Sequence, residues 1–494
     1  MRENTRIMPK NLTRGVWTPL LCIGLLPLAG CGQGGLTAGP GSGAASTCTA
    51  CSVGGSVAGL GANESVTLLN NGGDSLTVNS DGGFTFSATE TSGSAYDVTV
   101  QSHTPGIACT VGSGTGTVGT RAVSSIQVSC AAGTETILYS FAGGPTDGAD
   151  PQGTLALESA GNLYGTTYGG GAYGVGTVFE VSASGTESVL HSFAGGAADG
   201  ANPRAGLIVD GAGNLYGTTA NSGAFGEGTV FEVSASGTES VLYSFAGGAT
   251  DGARPRGSVI LDSAGNLYGT TSGGGANGLG TVYALSPTDS EAVLYSFAGG
   301  TTDGQVPLGH LVMGSSGSLY GTTSAGGTYD LGTVFEVSSS GTEIVLYSFA
   351  GGSQDGAYPR AGLIMDSAGD LYGTTSAGGT DDLGTVFEIS ASGTESVLYS
   401  FTGGAADGSD PNGGLLMDGA GNLYGTTSAG GADDLGTVFE ISASGTESVL
   451  YSFVGGTTDG SSPTAGLIMD GAGNLYGTTS AGGVSDVGTV FEIS

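Results

Sequence analysis

A stretch of 52 residues, seen clearly from Gly393 to Ser444, recurs seven times in this chain without an insertion or deletion. The Y/H-S-F triplets begin at Tyr139, His191, Tyr243, Tyr295, Tyr347, Tyr399 and Tyr451. The Leu-Tyr-Gly triplets begin at Leu163, Leu215, Leu267, Leu319, Leu371, Leu423 and Leu475. Whole repeats fill the 364 residues from Ala131 to Ser494. So strict a period confines the chain to architectures that stack one supersecondary unit on copies of itself.

Each unit holds four strand-like runs, in one copy Gly362 to Asp366, Asp370 to Thr375, Gly384 to Ile389 and Ser396 to Phe401. Short turns join the first to the second and the third to the fourth. Four strands per unit of 40 to 50 residues, repeated seven times, predict an all-β fold with a seven-bladed β-propeller over 132–494. The two ends of the region support this. It starts with an outer strand at Thr136 to Phe141 and finishes with a third strand at Val490 to Ile493, so the N-terminal strand can complete the last blade and leave no open edge. A β-solenoid, the alternative, needs no such matching.

Residues 1–30 carry Arg2, Arg6, Lys10 and Arg14 and then the apolar run TPLLCIGLLPLAG, ending in Leu28-Ala29-Gly30-Cys31. This is the pattern of a secretory signal, and it resembles bacterial lipoprotein signals, which implies cleavage before Cys31 and lipid on its sulfur. Residues 31–47 are Gly, Ala and Ser without periodicity and read as a flexible tether. From 48 to 131, short alternating runs broken by Asn-Asn-Gly-Gly and Ser-Asp-Gly-Gly predict a small antiparallel β-sandwich. That region resembles the immunoglobulin-like or prealbumin-like modules of exported bacterial proteins. With Cys31 lipidated, Cys48, Cys51, Cys109 and Cys130 remain; an even count in an exported chain reads as two disulfides, with Cys109 and Cys130, each at the end of a strand-like run, as one pair, while Cys48-Thr-Ala-Cys51 is open between a tight local disulfide and a redox CxxC, the latter without a βαβ pattern to support it.

The formal charge is −34, and loss of residues 1–30 removes a net +3, leaving −37 and no lysine. Such a field repels nucleic acid and anionic membrane surfaces, so membrane contact is expected only through the N-terminal lipid. The expected address is the bacterial cell envelope, lipid-anchored on the periplasmic or outer surface, with the chain a monomer. Gly114-Thr115-Gly116-Thr117-Val118-Gly119 fits a nucleotide-binding glycine pattern, but no helix pattern follows, and in a chain with 101 glycines such matches arise by chance.

The repeating L-Y-S-F-x-G-G-x-x-D-G, G-N-L-Y-G-T-T and G-T-V-F-E resemble the GloVer tandem repeats, named for Gloeobacter and Verrucomicrobium, of exported "choice-of-anchor" proteins. The likeness covers all seven units. It implies surface location and a variable anchor, and brings no catalytic residues with it. The D-x-x-G-N turn is similar, at fold level, to NHL-type propellers.

In a four-stranded blade the longer, more varied loops leave on one face, which is where function is expected. Asp147, Asp199, Asp251, Asp303, Asp355, Asp407 and Asp459 repeat there as Asp-Gly. They are candidate calcium ligands, with Asp-Gly turn chemistry as the competing reading. No other cofactor is expected. The same loops carry Arg204, Arg254, Arg256 and Arg360, four of the five arginines after residue 30, beside a proline. They are candidates for an anionic or sugar-like ligand, against simple pairing with nearby acids. His310 stands near the expected channel mouth, while His191 occupies a tyrosine position on a strand. The glutamates of G-T-V-F-E repeat once in six of the units, which suits a structural partner better than a catalytic pair. The sequence therefore points to a surface-anchored, non-enzymatic binding or scaffolding module with an extracellular glycan or protein ligand. A carbohydrate-active or other hydrolytic propeller enzyme is the alternative.

Overall fold

Between Cys51 and Ala132, side chains alternate between core and solvent as strands covering one core require: Tyr96 and Val98 are buried, and Ala95 and Asp97 between them are exposed. The computed structural model describes residues 48–61, 64–104, 107–132 and 134–494. The expected signal segment, Cys31 and the tether lie outside the described residues. Two four-stranded sheets form here. One runs in the order Gly82–Glu90, Cys51–Ala58, Val123–Ala132, Ile107–Gly112, and the other Asp74–Val78, Val66–Asn70, Ala95–His103, Thr115–Thr117. Val53, Val66, Leu68, Phe86, Ile126 and Val128 share their core. The hairpin at Asn71 and Gly72 has both residues at positive φ, 53° and 68°, as a tight right-twisting turn demands.

Disulfides join Cys109 to Cys130 and Cys48 to Cys51. Cys109 and Cys130 face one another on paired strands. The expectation of a purely antiparallel sandwich needs correction, because Cys51–Ala58 runs parallel to Val123–Ala132. These are the first and last strands of the region, and the chain between them is long enough to make the crossover that a parallel pair requires.

In the repeats, the four runs form antiparallel sheets whose spatial order follows the sequence, for example Ile364–Met365, Leu371–Thr375, Thr385–Ile389 and Glu395–Ser400. Seven such sheets follow one another. The first strand is shorter than expected because the backbone just before it packs on the same stretch of the neighbouring unit: a Cβ on Gly309 would lie 2.3 Å from the carbonyl carbon of Ala361. The loops add a ladder that the sequence did not announce. Gly356–Ala357 pairs with Ala377–Gly378, and in one unit the corresponding segments, Gly252–Pro255 and Leu267–Gly274, merge into a five-stranded sheet.

The cores lie between sheets. Val386 and Phe401 of one sheet pack with Leu415, Leu423, Phe439 and Ile441 of the next. Phe401 meets Phe439 edge-on with centroids 5.0 Å apart. The glycine of L-Y-G makes room for this ring, since a Cβ on Gly425 would stand 2.6 Å from Phe439 Cζ. The following threonines have separate tasks. Thr426 Oγ1 donates to the carbonyl of Ala465 in the next unit at 2.8 Å, while Thr427 is hydrogen-bonded to Thr437 within its own sheet.

The two ends of the repeat region share one sheet and one core. Glu135–Ser140 is the fourth strand of the last sheet, paired with Thr489–Ile493. Phe141 and Val490 pack with Leu155 and Phe179 of the first unit. Among the described residues no helix is long and apolar enough to cross a membrane. The described residues thus have an all-β, propeller-like fold.

Candidate functional site

The loop before each first strand begins with the Asp-Gly pair. Asp303 Oδ1 accepts from the Gly304 N–H at 2.6 Å, and Oδ2 accepts from the Tyr295 hydroxyl at 2.8 Å and from the Ala298 N–H. The same three bonds hold Asp147, Asp251, Asp355, Asp407 and Asp459. At Asp199 the ring of His191 replaces the tyrosine hydroxyl. These carboxylates are buried and fix the turn. Asp382, Asp434 and Asp486 in the loops after the second strand are engaged with their own backbone, Asp382 Oδ1 accepting from the Gly378 N–H at 2.8 Å.

Three residues after each glycine of these pairs comes a buried proline. The residue before it has positive φ throughout: Asp150, Asn202, Arg254, Val306, Tyr358, Asp410 and Ser462, at 54° to 59°. Its N–H donates to a carbonyl of the preceding unit, as from Arg254 to Glu227 at 2.7 Å. The proline ring closes on a glycine of that unit that no other residue can replace: Gly384 has φ +101°, and a Cβ there would meet Pro411 Cδ at 2.5 Å. This junction turns the residue after the proline inward.

Those inward residues come together. Gln152, Arg204, Arg256, Leu308, Arg360, Asn412 and Thr464, one from each unit, line a single cavity of about 100 Å³. That volume holds several waters or one small anionic group. Arg254, on the other side of the proline, stays outside, mostly exposed, with Nε 3.3 Å from Glu227 Oε2. So three of the four arginines singled out in the sequence share a site, and the fourth makes a surface ion pair.

Arg204 donates to Gln152 Oε1 at 3.0 Å and lies 4.4 Å over the Tyr168 ring, which fixes its plane. Burial, then Arg204 and Arg254 nearby, lowers the affinity of Arg256 for its proton, though an arginine stays charged at any physiological pH. Among the described residues, Arg204, Arg256 and Arg360 form no ion pair. His310 also lines the cavity, its ring against Gly362, where a Cβ would come within 2.4 Å. Burial holds His310 below its usual range, so at neutral pH it offers one donor and one acceptor. In a chain of formal charge −34, this mouth concentrates unpaired guanidinium groups, the side chain best shaped for carboxylate, sulfate or phosphate.

Sequence reasoning missed a second repeated feature. Glu135, Glu187, Glu239, Glu291, Glu343, Glu395 and Glu447, at the start of the outer strands, each face an Asp of the Asp-Gly series and keep one buried, unpartnered Oε1. Burial, and then the facing aspartate, raises each to about 7, with His191 acting in the opposite sense on Glu239. The available signal was their presence in all seven units. The other glutamate series behaves as expected of structural partners, as when the Tyr216 hydroxyl donates to Glu232 at 3.3 Å. A larger open cleft of about 940 Å³, between Thr67 and His103 on one side and Asp418 and Asp470 on the other, presents aspartates already bound within their own turns.

Among solved structures, virginiamycin B lyase from Staphylococcus aureus aligns over 73% of this chain and 98% of its own, at 10% identity and a TM-score of 0.46. A putative 6-phosphogluconolactonase from Bacteroides uniformis aligns over 67% of this chain and 90% of its own, at 17% identity and a TM-score of 0.44. The periplasmic gluconolactonase of Pseudomonas aeruginosa aligns over 61% and 85%, at 18% identity and a TM-score of 0.39. No curated protein matches the chain. The family model of the Gloeobacter/Verrucomicrobia repeat matches residues 99–314 and 261–491. This chain belongs to the Gloeobacter/Verrucomicrobia repeat family.

Proposed function

We propose that the repeat region is a seven-bladed β-propeller closed by its N-terminal strand, and that it is a binding module for a small anionic or acidic-sugar group held in its central cavity. The observation that carries the reading is the convergence of Arg204, Arg256 and Arg360, unpaired, on a cavity to which all seven units contribute. Closure is supported by the shared last sheet and by the junction between the ends, where Asp150 N–H donates to Val487 and Pro151 packs on Gly488 as at the six other junctions. Lipid at Cys31 would display the module on the cell envelope. The side chains lining the cavity include no carboxylate, so His310 has no acid beside it there, which favours binding over hydrolysis.

The test is a thermal-shift screen of uronates, sugar phosphates and sulfated sugars. It compares the wild-type chain with one carrying Arg204→Gln, Arg256→Gln and Arg360→Gln. A ligand that stabilises only the wild type supports the reading; identical profiles remove it.

A further inference from the structure

One unit departs from its sisters at a position that six others keep as tyrosine. His191 stands on the outer strand of the first sheet, Asp199 in the following loop, and Glu239 on the outer strand of the second sheet. His191 Nε2 lies 3.3 Å from Asp199 Oδ2, and one ligand atom from each of the three residues falls within 4.8 Å of the others. Glu239 Oε1 is buried there without a hydrogen-bond partner.

We propose that His191, Asp199 and Glu239 form a site for one zinc-class divalent ion, clasping the first two sheets together. Ligand bonds of about 2.0–2.2 Å in a tetrahedron set neighbouring donor atoms about 3.4 Å apart. The His–Asp spacing of 3.3 Å is already close to this value, and a Glu239 carboxylate oxygen lies within 4.8 Å of both ligand atoms. One imidazole nitrogen with two carboxylates suits zinc and its neighbours, whereas calcium prefers an all-oxygen set of six to eight ligands. Edge-on packing against the buried Phe193, at 4.8 Å, holds the imidazole in place. His191 and Asp199 keep side-chain exposures of 22% and 13%, which leaves a path for the ion and for a water as fourth ligand.

The sister units explain why only this corner binds. In them a phenol donates its proton to the aspartate, as Tyr243 does to Asp251 at 3.0 Å, and a phenol held protonated is no metal ligand. An imidazole, unlike a phenol, is a common metal ligand through its ring nitrogen. The inference is independent of the arginine cavity.

The experiment titrates the untagged full chain with Zn²⁺ by calorimetry, beside His191→Tyr, which recreates the sister arrangement, and Glu239→Gln, which keeps the His–Asp contact. The wild type should bind one equivalent that both variants lose or bind roughly tenfold or more weakly. Their melting temperatures in EDTA should stay close to that of the wild type, so that loss of fold is not the cause. Equal zinc stoichiometry and affinity in wild type and His191→Tyr, or no saturable binding by the wild type, overturns the proposal.

Discussion

The backbone N–H of Asp150 donates to the carbonyl of Val487 at 2.8 Å, although the two residues stand at opposite ends of the repeat region. The same bond joins Arg254 to Glu227, Val306 to Leu279 and Tyr358 to Leu331 between consecutive units. One junction design therefore serves neighbours in sequence and the two ends alike. It requires positive φ just before a proline, and it orients the residue just after that proline toward the cavity.

That requirement makes Val306 a weak point. A β-branched residue at φ 58° is strained, whereas Asn and Asp, found at the equivalent Asn202, Asp150 and Asp410, tolerate the left-handed region. Val306→Asn should stabilise the chain by about 1 kcal/mol in a denaturant titration. A destabilised variant would show that the side chain's packing outweighs the backbone strain.

Space behind the L-Y-G glycine is as restricted. Gly425→Ala forces a methyl group against Phe439, at 2.6 Å from its ring, and should cost about 1–3 kcal/mol. Gly419→Ala, which meets nothing within 4 Å, is the matched control and should leave the unfolding midpoint unchanged.

The glutamates facing the Asp-Gly series set a pH dependence. Glu343 has its pKa raised from 4.5 to about 7, first by burial and then by Asp303. Between those values the folded chain keeps a proton that the unfolded chain has released, so stability falls as pH rises from 4.5 to about 7 and levels off above it. Seven such groups act in the same direction. Melting temperature should therefore drop between pH 5 and pH 8, and Glu343→Gln, neutral at every pH, should reduce that drop. An unchanged slope in the variant would place the effect elsewhere.

The division of the arginines is testable by single changes. Arg256→Gln should lower affinity for an anionic ligand about tenfold, the loss of one charge-assisted hydrogen bond. Arg254→Gln should leave that affinity unaltered and cost less than about 1 kcal/mol of stability, because its ion pair with Glu227 is exposed. Equal losses would mean that the two arginines act on one site.

Much of this was legible in the repeat itself. Its turn signals and apolar runs placed the four strands, and the outer strand left over near Thr136 matched the one missing after Ile493. The arginine cluster was visible as composition, but its division was not, because nothing in the letters says that Arg254 takes positive φ and Arg256 does not. The first strand shrank to Ile364–Met365 because its approach is set by close backbone packing between units, a relation invisible within one repeat. The facing pair of Glu187 and Asp147 was missed for a similar reason. Its members come from a loop and an outer strand forty residues apart, and only the stacking of sheets joins them. The parallel pairing of Cys51–Ala58 with Val123–Ala132 likewise depends on the whole sandwich, not on any local pattern.

Convergence of the seven units on one anion-binding cavity is checked by an anomalous difference map from crystals of the chain soaked in selenate. One strong peak is expected in the cavity, within hydrogen-bonding distance of the Arg256 and Arg360 guanidinium groups and absent from the triple glutamine variant. Selenium peaks only at other positions on the surface, with the cavity empty, would contradict it.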